Sequence, residues 1–590
     1  FNPLHAVGVL SAIAPDILGA VYFHPGVRPA SVPSGAAGVV DLRSRAAGGE
    51  GRVRGLLDLS MAGAKLAADQ RIEGRGGWVL AARRSHLDLW EDGAGLLGTE
   101  SIELPYVFHD VAARTDLVLG SRARLVASGL WEEDRLFGDL VGVLERTEAR
   151  WGNTAGRVTL HTGIAGVDIA HSLRASRFRA TTDERFLRTR DHTEEWHEPA
   201  SDNRIQFVQI AGEASPAGDA IATWSLGWDV AWQSVDYDGP LPRYHAVKPD
   251  TAARLRYRRE LTVAGAWAET RRTAGRLTIN PGLRIETGDD IANAPALRLA
   301  PRLALRWAFS ADQTMSVAAG RSWQYAQAIA LAGPSIHPAF HASHFWVWPD
   351  ARTPALRSDI ASIGTERWLG SWLASATAYV RHSAGVAVPD PVPGNLLRRA
   401  LHVIGENDAR GIEIGIRRIG SDWSTSVGYS YAHSEIAAAG LRYPAPSDRR
   451  HLLDAMAALR LPAGFRLSAA YTGMSGAPFT RAVSRSPEDC ELFGFGCGNQ
   501  NALVQEPNAV RTPAYHGVAA SLHWSRTFGG FEVGAYVQLR NALDRDNAVT
   551  YAGTVPLITR VRGGETEIVW DDRLEAGLPR LPMFGARIAF

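Results

Sequence analysis

From about Gly51 to the end of the chain, apolar and polar residues alternate with a period of two, in segments of roughly 8–13 residues divided by polar, Gly- or Pro-bearing connections. In Leu297–Phe309, Leu297, Leu299, Leu303, Leu305, Trp307 and Phe309 share one parity, and Arg298, Arg302 and Arg306 share the other. Thr223–Gln233 sets Trp224, Leu226, Trp228, Val230 and Trp232 against Ser225, Asp229 and Gln233. Leu277–Glu286 sets Leu277, Ile279, Leu283 and Ile285 against Thr278, Asn280, Arg284 and Glu286. The same division recurs in Gly411–Arg417, Asp422–Tyr431, Phe465–Thr472, Val518–Trp524 and Phe531–Arg540. One face of each segment is greasy and the other polar, which predicts an all-β chain of antiparallel strands.

Alternation alone does not choose between a soluble sandwich and a membrane sheet. Segment length favours the membrane: many segments exceed the ~5–6 residues usual in soluble sheets and match the ~9–11 that a tilted strand needs to cross a bilayer. Trp131, Trp224, Trp232, Trp307, Trp423, Tyr431, Tyr471 and Trp524 stand at segment ends, where an interfacial girdle belongs. Strands in lipid must close on themselves, because an open edge leaves N–H and C=O groups unpaired in hydrocarbon. About 540 residues at roughly 25 per strand and connection predict a barrel of about 22 strands, whose lumen is wide enough to need a plug.

Residues 1–45 read differently. A mostly apolar stretch, Ala6–Leu18, contains Pro15-Asp16 as a short helix start, followed by Val21-Tyr22-Phe23, a tight Gly turn and a second buried strand. This is a partial α/β unit, too short to fold by itself. Ser322–Pro349 carries no Asp, Glu, Lys or Arg, but its Gln, His and Pro residues argue for a loop with flanking structure rather than a spanning helix.

Composition narrows the partners. With 63 Lys+Arg against 62 Asp+Glu the net charge is +1, which excludes bulk electrostatic capture of nucleic acid. Lys65 and Lys248 are the only lysines, a bias of composition more than of site chemistry. A mean hydropathy of −0.12 excludes a bundle of membrane helices. Cys490 and Cys497 are a single close pair in a polar, Gly-bearing connection, and an outward-facing disulfide loop is expected there.

Ser34-Gly35-Ala36-Ala37-Gly38-Val39-Val40-Asp41-Leu42-Arg43-Ser44 resembles the motif that closes the plug of TonB-dependent outer-membrane receptors, with Ser34, Gly35, Gly38 and Asp41 at its signature positions. The Phe1-Asn2-Pro3-Leu4-His5 start, Leu104–Asp110, Pro281–Arg284, Ser475–Pro478, Arg511–Tyr515 and Asn541–Asp544 are similar to family motifs in order and spacing. The plug strand of the family is altered here to Val21–Gly26, without its acid and base. The resemblance implies residues 1–45 as the C-terminal part of a plug and 46–590 as a transmembrane barrel in the bacterial outer membrane. It implies import of a scarce solute such as a siderophore, cofactor, sugar or peptide, driven through the inner-membrane TonB complex. Lipopolysaccharide, membrane lipid and the barrel assembly machinery would be the other partners, the last reading the terminal strand that ends in Phe590. Because the chain opens inside a family motif, further plug with a TonB-pairing segment is expected ahead of Phe1. The alternative is an outer-membrane scaffold or adhesin that keeps the barrel without energised transport.

His337, His341 and His344, with Trp346 and Trp348 close by, are the most ligand-like cluster, at spacings that suit one helical face. The plainer reading, an aromatic and His-bearing extracellular loop without metal, is preferred, and contact with the solute is expected of it. Arg298, Arg302 and Arg306 are expected to line the lumen and to pair with plug or wall carboxylates. Asp191–Glu198 fails the H-E-x-x-H pattern, since Pro199 follows, and reads as a solvated loop. No nucleophile elbow, phosphate loop or dinucleotide fingerprint occurs, so neither catalysis nor a cofactor is expected.

Overall fold

The computed structural model describes the chain except residues 1–3, 6–9, 12, 34, 37, 50, 87–105, 139–143, 189–193, 218–222, 241–253, 289–296, 331–343, 351, 392–401, 481–505, 563–564 and 578. A closed antiparallel barrel of 22 strands runs from Arg54–Ser60 to Leu581–Ala589, and these two strands pair to shut it. Two short pieces, Arg272–Ala274 and Leu441–Pro444, extend hairpins of the same wall.

The alternation read from the sequence becomes an outside and an inside. On the strand Arg298–Ala308, Leu299, Leu303 and Trp307 are 50%, 42% and 50% exposed on the outer surface, whereas Arg298 and Arg302 are buried within. The outer face is the lipid face, so its apolar exposure is what a spanning sheet requires. Among the described residues no helix is long and apolar enough to cross a membrane.

Connections differ at the two ends. At one end they are tight, as in the two-residue turn between Ile164 and Val167, where Ala165 and Gly166 both take positive φ (48° and 78°) to suit the twist of the hairpin. At the other they are long, spanning 389–402, 475–514 and 541–547 among others. Short turns mark the periplasmic end and long loops the extracellular end. Aromatic pairs collect at the turn end: Trp307 stacks on Phe309 at 4.5 Å, and Trp372 meets Trp423 edge-on at 5.8 Å.

Several strands outrun the membrane. Leu144–Ile164, Val167–Arg188 and Glu194–Pro216 have 21, 22 and 23 residues, about twice the span that lipid demands. Glu194–Glu198, read from the sequence as loop, is therefore strand: its main chain ladders onto Val167–Arg188 beyond the length that lipid requires.

The N-terminal segment also departs from expectation. Its helix is one 3-10 turn, Pro15–Ile17, with the proline at its start. The strands Leu18–His24 and Val39–Ser44 do pair, but no tight turn joins them. Residues 25–38 leave the ribbon instead, because Pro25, Pro29 and Pro33 have no N–H to give a ladder. The second strand is not buried, since Val40 is 57% exposed on a ribbon of only two strands. Inside the barrel, Ala14 and Ile17 pack against Ala67, Val79, Ala81 and Ala112 of the wall.

Candidate functional site

Two regions of the interior concentrate polar chemistry, and the first is where residues 26–36 meet the wall. Arg302 donates to the main-chain carbonyls of Arg28 at 3.1 Å and Pro29 at 2.6 Å. Ala30 N–H donates to Glu269 at 2.8 Å, Ala36 N–H to the Gln324 side chain at 2.8 Å, and Gly35 N–H to the Trp323 carbonyl at 2.9 Å. Arg28 folds back to donate to the Gly35 carbonyl. Gly35 has φ of 138°, and a Cβ there would sit 2.5 Å from Arg28 Nη1, so the position excludes a side chain.

Beside these contacts lies a buried ionic network on three strands. Arg284 bridges Asp229 at 2.7 Å and Glu286 at 2.5 Å. The Tyr325 hydroxyl donates to Glu286 at 2.9 Å, and Arg298 lies over the Tyr325 ring at 5.4 Å. At the turn end of the wall, Arg45 and Arg54 share Asp69 at 2.8 and 2.9 Å, and Arg306 reaches Glu366 at 3.7 Å on an open part of the wall.

The second region is the extracellular mouth. The strands Gln327–Ala330 and His344–Val347 form a separate hairpin. Gln327 clips it to the wall through both ends of its amide, donating to the Gly385 carbonyl at 2.8 Å and accepting from Ala387 N–H at 2.9 Å. Ile329 and Val347 pack with Tyr237 and Ala387. Trp348 is buried, and neither its indole N–H nor that of Trp346 has a partner among the described residues. Asp350 accepts from Arg352 and Thr353 N–H, both at 2.8 Å, and Thr353 hydrogen-bonds His402 at 2.8 Å. Burial lowers the His402 pKa, against a counter-pull from Asp350, so the imidazole is held neutral at physiological pH.

Arg298 and Arg302 are thus inside, as parity predicts, but Arg302 holds main-chain carbonyls rather than carboxylates. Trp346 and Trp348 lie in the mouth hairpin and its exit. His344 contributes main chain to that hairpin, while the His344 side chain and all of His337 and His341 lie outside the described residues, as do Cys490, Cys497 and Ser34. Gly38 approaches the Phe23 ring, where a Cβ would stand 2.9 Å from it, and Asp41 pairs with Arg43 at 3.0 Å. Phe590 closes the barrel through main-chain bonds to Gly55. Gln327, Glu269 and Tyr325 escaped sequence reading; only their inward setting, invisible without the fold, marks them.

A family model described as TonB dependent receptor-like, beta-barrel matches residues 109–543. Among solved structures, the FrpB iron transporter of Neisseria meningitidis is similar with a TM-score of 0.62 at 12% identity, covering 98% of this chain and 88% of its own. BauA, the ferric preacinetobactin receptor of Acinetobacter baumannii, gives 0.64 at 11% identity, covering 98% and 86%. FyuA, the ferric yersiniabactin uptake receptor of Yersinia pestis, gives 0.60 at 12% identity, covering 94% and 82%. No curated protein matches the chain. With the family model spanning most of the wall and a closed 22-strand barrel of the same architecture, the chain belongs to the TonB dependent receptor-like β-barrel family and is a bacterial outer-membrane receptor that imports a solute with TonB.

Proposed function

We propose that residues 1–45 are the C-terminal part of a plug held inside a barrel of residues 46–590, and that the solute is a ferric chelate captured at the extracellular mouth. The observation that carries the plug reading is the run of contacts from residues 28–36 to Glu269, Arg302, Trp323 and Gln324 on the inner wall. A segment held by a few hydrogen bonds, rather than by a large apolar interface, can be displaced by pulling. The chelate reading is supported by the ferric chelates for which the similar receptors BauA and FyuA are named, and by a mouth hairpin that carries Trp346 and packs its Val347 with Tyr237, aromatic surface suited to the flat rings of a chelator.

In this reading Trp346 and Trp348 touch the solute from the hairpin, and His337, His341 and His344 approach it from the adjoining loop. Arg298, Arg302 and Arg306 line the path below. Cys490 and Cys497 close an outward loop by a disulfide. Membrane lipid, lipopolysaccharide and the barrel assembly machinery are partners, and the chain performs no chemistry on its cargo.

Uptake of radiolabelled ferric chelates into cells, with and without TonB, tests the reading. Accumulation should require TonB and should fall when Trp346→Phe and Trp348→Phe are combined, and again when the three histidines become Ala. Accumulation in cells with TonB that is no greater than in cells lacking this receptor would favour the scaffold or adhesin alternative. Binding untouched by all five substitutions would remove the mouth from the site.

A further inference from the structure

The chain leaves the barrel wall after Gln324 and rejoins it at Leu356, and these two residues form the last rung of their strand pair. Between them, the arms 325–330 and 344–350 carry the mouth hairpin, Gln327–Ala330 with His344–Val347, and with it Trp346. The root of this excursion is also where the wall takes hold of the N-terminal segment. Gln324 accepts from Ala36 N–H at 2.8 Å, and the Trp323 carbonyl accepts from Gly35 N–H at 2.9 Å. Three residues further on, Gln327 makes the clip to Gly385 and Ala387. At most about 10 Å of extended chain separates the two contacts.

That short stretch is braced from both sides. The Gln324 amide, while accepting from Ala36, donates to the Ala326 carbonyl at 2.8 Å, so one side chain holds both the N-terminal segment and the joint of the excursion. Tyr325 is buried and packs with Leu261, Val263 and Ala355, the last on the returning arm, so both arms reach the root as one packed body. Above the joint, Gln327 is buried as well, and Ala387, which donates to it, also packs with Ile329 and Val347. A buried amide drawn off such a site loses both partners together, which favours two discrete arrangements over a gradual shift. Packed elements with two discrete arrangements are what carries coupling between separate contacts.

We infer that the mouth hairpin, residues 323–327 and the contact with Gly35 and Ala36 open and close as one cooperative unit, with Gln327 and Gln324 as its positioning residues. Drawing the hairpin off Gly385 and Ala387 takes the Gln324 amide from Ala36 and loosens the N-terminal segment. Releasing that segment loosens the hairpin in return, because coupling between two sites is reciprocal. A solute on the hairpin thereby acts on residues 35–36 through the wall, without touching them. This consequence for import rests on the mouth as the capture site, whereas the coupling itself does not.

Amide exchange of the full, detergent-solubilised chain, read by mass spectrometry with no solute added, tests the coupling separately from import. Gln327→Ala removes the clip and leaves the bonding partners of Gly35 and Ala36 in place. It should speed exchange in 327–330 and 344–347 and, with them, in peptides covering residues 35–36, by roughly two- to tenfold, the effect of about one net hydrogen bond. Arg302→Ala, which releases Arg28 and Pro29 and leaves the clip in place, should speed exchange in the same hairpin strands. That variant decides the question by itself if Gln327→Ala does not assemble. Asp448→Asn disturbs a different extracellular loop and should leave both the hairpin and residues 35–36 at their wild-type rates. Hairpin exchange that rises in Gln327→Ala while residues 35–36 keep their rate would show that Tyr325 insulates the two contacts, and it overturns the inference. A hairpin indifferent to both variants, or acceleration that Asp448→Asn reproduces, overturns it too. Ferric chelate uptake that fails while the coupling holds would remove the solute reading alone.

Discussion

Arg302, on the barrel strand Arg298–Ala308, donates a 2.6 Å hydrogen bond to the main-chain carbonyl of Pro29, in the N-terminal segment that meets the wall. The acceptor is a backbone atom of a residue that has no N–H of its own, so this carbonyl is the only main-chain handle Pro29 offers. Glu269 does the converse, accepting from Ala30 N–H one residue along. A cation and an anion of the wall therefore grip adjacent residues by opposite ends of the peptide unit.

That grip predicts local opening. Hydrogen bonds to charged groups contribute ~1.5–3 kcal/mol each, so Arg302→Ala should speed amide exchange across residues 26–36 by roughly ten- to a hundredfold. Glu269→Gln should act in the same direction and more weakly. Exchange rates in strand Gly76–Ser85, remote from the contact, should not move. Unchanged exchange at 26–36 in both variants would show that other contacts hold the segment.

The Arg284 network predicts a larger and more global effect. Arg284 separates Asp229 and Glu286, both nearly inaccessible, and its removal leaves two buried carboxylates facing each other. Breaking a buried pair from one side costs about 3–5 kcal/mol. Arg284→Met should therefore lower the temperature at which the barrel loses its compact electrophoretic form. Tyr325→Phe, which deletes one hydrogen bond to Glu286, should lower it less, by a contribution of ~1.5–3 kcal/mol. Equal shifts from the two variants would mean that the charge network is not what matters.

The outer loops carry a pH-dependent clamp. Asp448 is inaccessible to solvent, and it accepts from Arg450 at 2.8 Å, from Ser434 N–H at 2.8 Å and from Arg511. Burial by itself would raise its pKa, but these donors together hold it below the ordinary value. A carboxyl depressed in this way adds stability that is complete above the unfolded pKa near ~4 and disappears as pH falls through the folded value. Acidification below about pH 4 should therefore free the 445–450 loop from Arg511 and expose both to limited proteolysis. Asp448→Asn should give that cleavage at neutral pH. Resistance of the variant at pH 7 would place the clamp elsewhere.

How much of this was legible in the sequence depends on which atoms carry each contact. The lipid face could be read strand by strand, because Leu299, Leu303 and Trp307 must repeat at every second position while Arg298 and Arg302 cannot face hydrocarbon. Strand ends were not legible. Glu194–Glu198 ladders onto its neighbour, yet Trp196 is the single apolar residue of the five, and no alternation marks it as strand. The inward set of Arg298 and Arg302 followed from parity, but their partners did not: Arg302 binds backbone carbonyls, which have no side-chain signature, and Gln327 clips the mouth hairpin through main-chain atoms of Gly385 and Ala387.

Barrel closure makes the last prediction. Phe590 N–H donates to the Gly55 carbonyl at 3.0 Å and Gly55 N–H to the Phe590 carbonyl at 2.9 Å, so the final residue is paired at both ends of its peptide unit. Its ring lies over Gly55, where a Cβ would come within 2.3 Å of it, and meets Phe531 at 6.2 Å. The seam therefore needs both the aromatic residue and the missing side chain opposite. Gly55→Val should push the ring off the seam while leaving the terminal residue itself intact. Deletion of Phe590 should remove two main-chain bonds at the membrane edge, each unsatisfied group costing several kcal/mol where water is absent. Both changes should lower the fraction of heat-modifiable barrel recovered from the outer membrane, and the deletion should also slow assembly in pulse-chase. If only the deletion lowers recovery, Phe590 acts as a recognition signal for assembly; if Gly55→Val lowers it equally, packing at the seam is the cause.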